Sequence, residues 1–103
     1  MDRIAKIKEM LGENPTDNFL QHALGLEYIK IGEEAQARSL FEAILTRDPG
    51  YIGTYYHLAK LLERLGETEL AISLYEKGME AAKKAGEQHS YGELRSAYEE
   101  LTF

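Results

Sequence analysis

The side chains that could do chemistry are few and scattered. Three histidines, His22, His57 and His89, are the candidate metal ligands or general bases. They are too far apart for a helical His-x-x-x-His site, so separate elements would have to bring any two of them together. The chain has no cysteine, which removes thiolate nucleophiles, zinc-thiolate sites and disulfides. No glycine-rich phosphate loop and no Gly-x-Ser-x-Gly elbow occurs; Ser39 and Ser73 stand at helical positions where a small residue packs well. The adjacent acids Glu99 and Glu100 read as a solvated face. This set of residues points to a non-enzyme that needs no metal and no cofactor.

What must position these residues follows from composition and periodicity. A chain of 103 residues with 44% hydrophobic and 29% charged content suits one soluble globular domain. Twelve Lys and Arg against eighteen Asp and Glu give a net charge of -6, which disfavours nucleic acid and anionic lipid as partners. The opening MDRIAKIKEML lacks an apolar signal region and a small-residue cleavage site. No run approaches the roughly 18 apolar residues of a membrane span, and the cytoplasm is the expected compartment. Ile4, Ile7, Met10 and Leu11 recur at helical spacing and predict an amphipathic helix ending near Gly12, packed on a neighbour rather than lying on a membrane.

The chain then repeats itself. Pro15 and Pro49 stand 34 residues apart, as do Gly32 and Gly66. The same shift superposes Leu24 on Leu58, Glu33 on Glu67, Ala37 on Ala71, Ser39 on Ser73, Leu40 on Leu74 and Glu42 on Glu76. A fixed period in this range marks stacked repeats. Each copy reads as two helices parted by one glycine. From about Asn18 to Ile31, Leu20, Leu24, Tyr28 and Ile31 keep the helical period, and Gly32 follows where positive φ ends a helix. Glu33 and Glu34 favour the positive end of the next helix, whose apolar face is Ala37, Leu40, Phe41, Ile44 and Leu45. The second copy runs from about Ile52 to Leu65, through Gly66, and from Glu69 to about Lys84. Gly25 and Ala59 are small where two helices must come close, facing Ala37 and Ala71. Phe41 and Tyr75 are expected to wedge against the following unit.

The residues Q-x-x-L-G-x-x-Y from Gln21 to Tyr28, A-x-x-x-F from Ala37, and then Pro49 resemble a tetratricopeptide repeat (TPR). A second copy reads Y-x-x-L-A-x-x-L from Tyr55 to Leu62, then A-x-x-x-Y from Ala71. It departs from the pattern at Gln21, where the family has a large aromatic, and at Lys83, where it has a terminal proline. The resemblance implies an all-α right-handed superhelix of antiparallel helix pairs, about six helices in one domain spanning residues 1–103. Residues 1–14 read as a half repeat and 18–51 and 52–87 as full repeats. Residues 88–103 read as a capping helix, in which YGELRSAY from Tyr91 to Tyr98 restores the aromatic spacing and Arg95, Glu99 and Glu100 face solvent.

The family's first helices line a concave face, which implies that this chain is a protein-interaction module, an adaptor or scaffold holding a peptide or extended segment in that groove. By register, Phe19, His22, Leu26 and Ile29 face inward from one such helix and Tyr56, His57, Lys60 and Arg64 from the next, with His89 at the start of the third. Leu26 and Ile29 are either buried by a neighbour or open to a ligand. Tyr56 and His57 suit peptide anchoring, or are simply satisfied surface residues. Lys60 and Arg64, one turn apart, form a local positive strip or a solvated face. The family's clamp for acidic chaperone tails uses Lys and Asn, Asn, and Lys and Arg. The matching positions here hold His22 and Leu26, His57, and His89 and Glu93, so no clamp of that kind is expected. The alternative is a self-assembling module that dimerises through Ile4, Ile7 and Met10 of the first helix.

Overall fold

The computed structural model describes residues 2–103. Its order is α1 (Arg3–Glu13), α2 (Asn18–Lys30), α3 (Glu34–Arg47), α4 (Ile52–Arg64), α5 (Thr68–Ala85) and α6 (Gln88–Thr102). No strand occurs among the described residues, so the all-α architecture of six helices expected from the sequence is the one found. The helices pack as two compact units, one ending at Arg47 and one running from Asp48 to Phe103. In the first unit α2 packs on both α1 and α3. In the second α5 packs on both α4 and α6, and α4 also touches α6.

Local chemistry sets where the helices begin and end. The Asp2 carboxylate accepts from the Ile4 amide at 3.1 Å and the Asp17 carboxylate from the Leu20 amide at 3.0 Å, each satisfying a first-turn N–H that has no helical partner. Gly32 and Gly66 take φ of 80° and 81°. The amide after each glycine reaches back to the last helical turn, Glu33 to the Tyr28 carbonyl and Glu67 to the Leu62 carbonyl, both at 2.9 Å. This pair of hydrogen bonds closes a helix only when the intervening residue tolerates the left-handed region. Gly86 (φ 72°) is a third such stop, with Glu87 donating to the Ala82 carbonyl. It is the Gly-Glu pair that opens α6, and its sequence signal was the recurrence of Gly-Glu at 32–33 and 66–67.

Close approach within each unit rests on missing side chains. A Cβ on Gly25 would lie 2.5 Å from Phe41 Cε1, so the Phe41 ring occupies the space that any other residue at position 25 would fill. Phe41 and Ala37 are fully buried. Phe41, expected to wedge against the following unit, has its defined contacts back on α2 of its own pair, against Gly25 and the His22 ring. In the second unit the same role passes to Gly78 of α5. A Cβ there would lie 2.8 Å from Tyr55 Cβ on α4 and 3.1 Å from Leu94 Cδ1 on α6. Gly78 falls 34 residues after Ile44, so the repeat pattern alone predicts a large apolar residue at this position.

A second shared device explains the departure at Gln21. Gln21 Nε2 donates to the Pro15 carbonyl at 2.8 Å, and Tyr55 Oη donates to the Pro49 carbonyl at 2.6 Å. The 34-residue shift carries both donor and acceptor. An amide and a phenol thus tie the start of each pair to the proline before it. Gln21 also accepts from Arg47 Nη2 at 2.9 Å, and Arg47 reaches Asn18 as well, which joins the start of α2 to the end of α3.

Gly78→Ala gains helix propensity of about 1 kcal/mol, but the collision with Tyr55 and Leu94 is expected to outweigh it, with a net loss of about 1–3 kcal/mol typical of overpacking. Gly92→Ala on α6, where a Cβ meets nothing within 4 Å, is expected to raise the melting temperature. Paired thermal unfolding of the two variants checks both signs. Tyr55→Phe leaves the ring in place and the Pro49 carbonyl without its donor. Urea denaturation should show a loss of about 0.5–1.5 kcal/mol.

Candidate functional site

In the first unit, the residues singled out on α2 fall into different environments. Phe19 is 72% exposed at the first turn, the most open large apolar side chain on this helix. His22 is half-buried and lays its ring on Phe41, centroids 5.4 Å apart and tilted 44°. It therefore packs, whatever else it does. Leu26 and Ile29 are half-buried. On α1, Ile7 is 3% exposed and belongs to the core, at the contact of α1 with α2. Ile7 is thus withdrawn from the surface expected of it, because the helical period that places it beside Ile4 also turns it onto α2. Ile4 is half-buried and Met10 is 41% exposed.

In the second unit, Tyr56, His57 and Lys60 come together on α4. The Tyr56 and His57 rings meet edge to face with centroids 5.7 Å apart. Lys60 Nζ stands 5.7 Å from the Tyr56 ring centroid, within cation–π range. The same ammonium lies 3.7 Å from Glu63 Oε2. Glu63 in turn accepts a hydrogen bond from the hydroxyl of Tyr75, a fully buried ring on α5 that also contacts Tyr56 at 6.5 Å. Lys60 and Arg64 therefore do not form an open positive strip: Lys60 is paired, and Arg64, though exposed, has an interaction of its own. Glu63 was not singled out by sequence, and its only signal was an i, i+3 spacing from Lys60.

Electrostatics follow from this packing. Burial, then the hydrogen bond to Glu63, holds the Tyr75 phenol far above its ordinary range. Burial pushes the His57 imidazole below its usual value, and the Glu93 carboxylate of α6 draws it part of the way back. His57 is thus a neutral hydrogen-bonding group at physiological pH, not a cation. His89 is exposed and stands 3.7 Å from Glu93, its neighbour one turn along α6. Among the described residues no three His, Asp or Glu side chains converge as a metal site, and no helix is long and apolar enough to cross a membrane.

The 34-residue period and the antiparallel helix pairs can be compared with known proteins. The tetratricopeptide repeat model matches residues 29–97. The chain belongs to the tetratricopeptide repeat family. A TPR domain protein from Salinibacter ruber, solved in solution, is 42% identical over 84% of this chain and 88% of its own, with a TM-score of 0.81. A protein from Bordetella parapertussis is 25% identical over 99% of this chain and 89% of its own, with a TM-score of 0.84. The TPR2B domain of yeast Sti1, solved as a pHsp70 complex, shares the fold at 15% identity, with a TM-score of 0.87 over 96% of this chain and 79% of its own. No curated protein matches the sequence.

Within this TPR chain, Glu93 of α6 lies close enough to His57 to act on its charge. Because the folded His57 has a depressed pKa, its contribution to stability is full above the unfolded value of about 6.5. It is lost as pH falls from there through the lower folded value, where the unfolded chain binds the proton first. Stability measured by urea denaturation should therefore drop as pH falls below about 6.5, and His57→Gln should show a shallower drop over the same window.

Proposed function

We propose that this TPR chain is a non-enzymatic interaction module that binds a peptide or extended segment of a partner protein, with the exposed face of α4 in the second unit as its contact surface. The observation that carries this reading is the α4 surface of the second unit. It holds an aromatic ring, a neutral imidazole and an ammonium within side-chain reach of one another, on a helix whose other face is buried in the core. Aromatic groups beside adaptable polar ones are what peptide-anchoring surfaces use. Tyr56, His57, Lys60 and Arg64 are the proposed contacts on α4. In the first unit, α2 offers Phe19, with Leu26 and His22 as partly buried neighbours. An adaptor or scaffold role is the part of this reading that such a peptide-anchoring surface would serve.

Self-assembly through α1 is the weaker reading. With Ile7 in the core, only Met10 and part of Ile4 remain as open apolar surface among the three residues that reading names. Affinity capture from native lysate with the wild-type chain and the Tyr56→Ala variant, read by mass spectrometry, tests the first reading. A partner held by the wild type and lost by a variant with an unchanged circular dichroism spectrum is the expected outcome. A partner held equally by both would reject the α4 surface, and a solution mass rising with concentration would favour self-assembly over the monomer of 11.7 kDa.

A further inference from the structure

The α4 surface also carries information on the charge of its ligand. Lys60 Nζ sits between the Tyr56 ring, 5.7 Å from its centroid, and the Glu63 carboxylate at 3.7 Å. An aromatic face on one side and a carboxylate on the other is the environment that binds a cation. Glu63 is held in place by the Tyr75 hydroxyl and is only 26% exposed, whereas Lys60 is on a flexible stem and 32% exposed. The fixed part of the arrangement is therefore the ring and the carboxylate, and the movable part is the ammonium.

The rim adds to this balance. From α6, Glu93 bears on His57 and Glu100 bears on Tyr75, and Glu93 and Glu100 are both exposed. Opposing them are Lys60, already at Glu63, and Arg64, which has an interaction of its own. His89, the remaining basic group here, is itself beside Glu93. An acidic segment laid along α4 would meet Glu63, Glu93 and Glu100. A basic segment would find two exposed carboxylates at the rim and an aromatic face now shared with Lys60.

We propose that the partner segment bound on α4 is basic, and that an arginine side chain replaces the Lys60 ammonium on the Tyr56 ring and pairs with the Glu63 carboxylate, with Glu93 adding negative charge at the rim. Arginine suits the place better than lysine because its planar guanidinium stacks on a ring and takes a carboxylate with two parallel N–H groups. Lys60 then swings into solvent, where its charge costs little. This inference rests on the reading of α4 as the binding surface, and goes beyond it in naming the chemistry of the ligand.

Three degenerate peptide pools with the same flanking mixture and a fixed central Arg, Gln or Glu, titrated into isotope-labelled protein and followed by amide NMR shifts, test it. The arginine pool should move the amides of Tyr56, His57 and Lys60 and bind about tenfold tighter than the glutamate pool. Glu93→Lys, at an exposed position, should bring the two pools to about equal affinity. Lys60→Gln should tighten the arginine pool about threefold by removing the competing ammonium. A glutamate pool that binds as well or better at these amides overturns the inference and leaves the α4 surface standing. Weaker arginine binding by Lys60→Gln overturns the displacement of Lys60. If no pool moves the α4 amides, the surface reading falls and this inference with it.

Discussion

The closest constraint in each unit is a glycine that lets a neighbouring side chain occupy the place of a Cβ. Gly25 lies under the Phe41 ring and Gly78 lies against Tyr55 and Leu94. A mid-helix glycine costs about 1 kcal/mol against alanine, and burying an aromatic or leucine side chain in the space it leaves returns about 1.5–3 kcal/mol. The balance favours the glycine only while the neighbours stay in contact. Gly78 is the more demanding position, since α5 meets helices on two sides there and a single methyl group would press on both.

Polar ties then orient what the close packing allows. Gln21 and Tyr55 differ in size and chemistry, yet each donates to the carbonyl of the proline six residues before it. Proline carbonyls at the head of a helix pair have no helical partner, and these two side chains supply one. In the second unit Tyr75 supplies a further tie through Glu63. That hydrogen bond reaches from the core to the surface, and the Lys60, Tyr56 and His57 cluster is built on its outer end. The proposed function thus depends on a buried phenol that no ligand would touch.

Gln21 and Gly78 illustrate how differently a motif and a structure record the same constraint. Gln21 breaks the family's aromatic pattern and keeps its hydrogen bond. Gly78 breaks the repeat's own pattern, standing where Ile44 stands in the first copy, because α6 and α4 both need the space. The interaction surface shows the same contrast. Tyr56, His57 and Lys60 were legible by register as one helix face, whereas the pairing of Lys60 with Glu63 changed what that face can bind. Ile7 was legible as apolar and helical, and the structure turned it into core.

The sequence by itself determined the helices and their number, because those depend on neighbours within a turn: a period of apolar residues, an aspartate before the first turn of α1 and α2, a glycine after the last turn of α2, α4 and α5. It also determined the repeat, since identical local grammar recurs at a fixed distance. Only the tertiary structure decided which carboxylate meets which cation, how far His57 is desolvated and why position 78 must be glycine. Those outcomes depend on side chains brought together from helices far apart in the chain, such as Tyr55, Gly78 and Leu94. A linear pattern specifies each residue's own face, and only packing specifies what stands opposite.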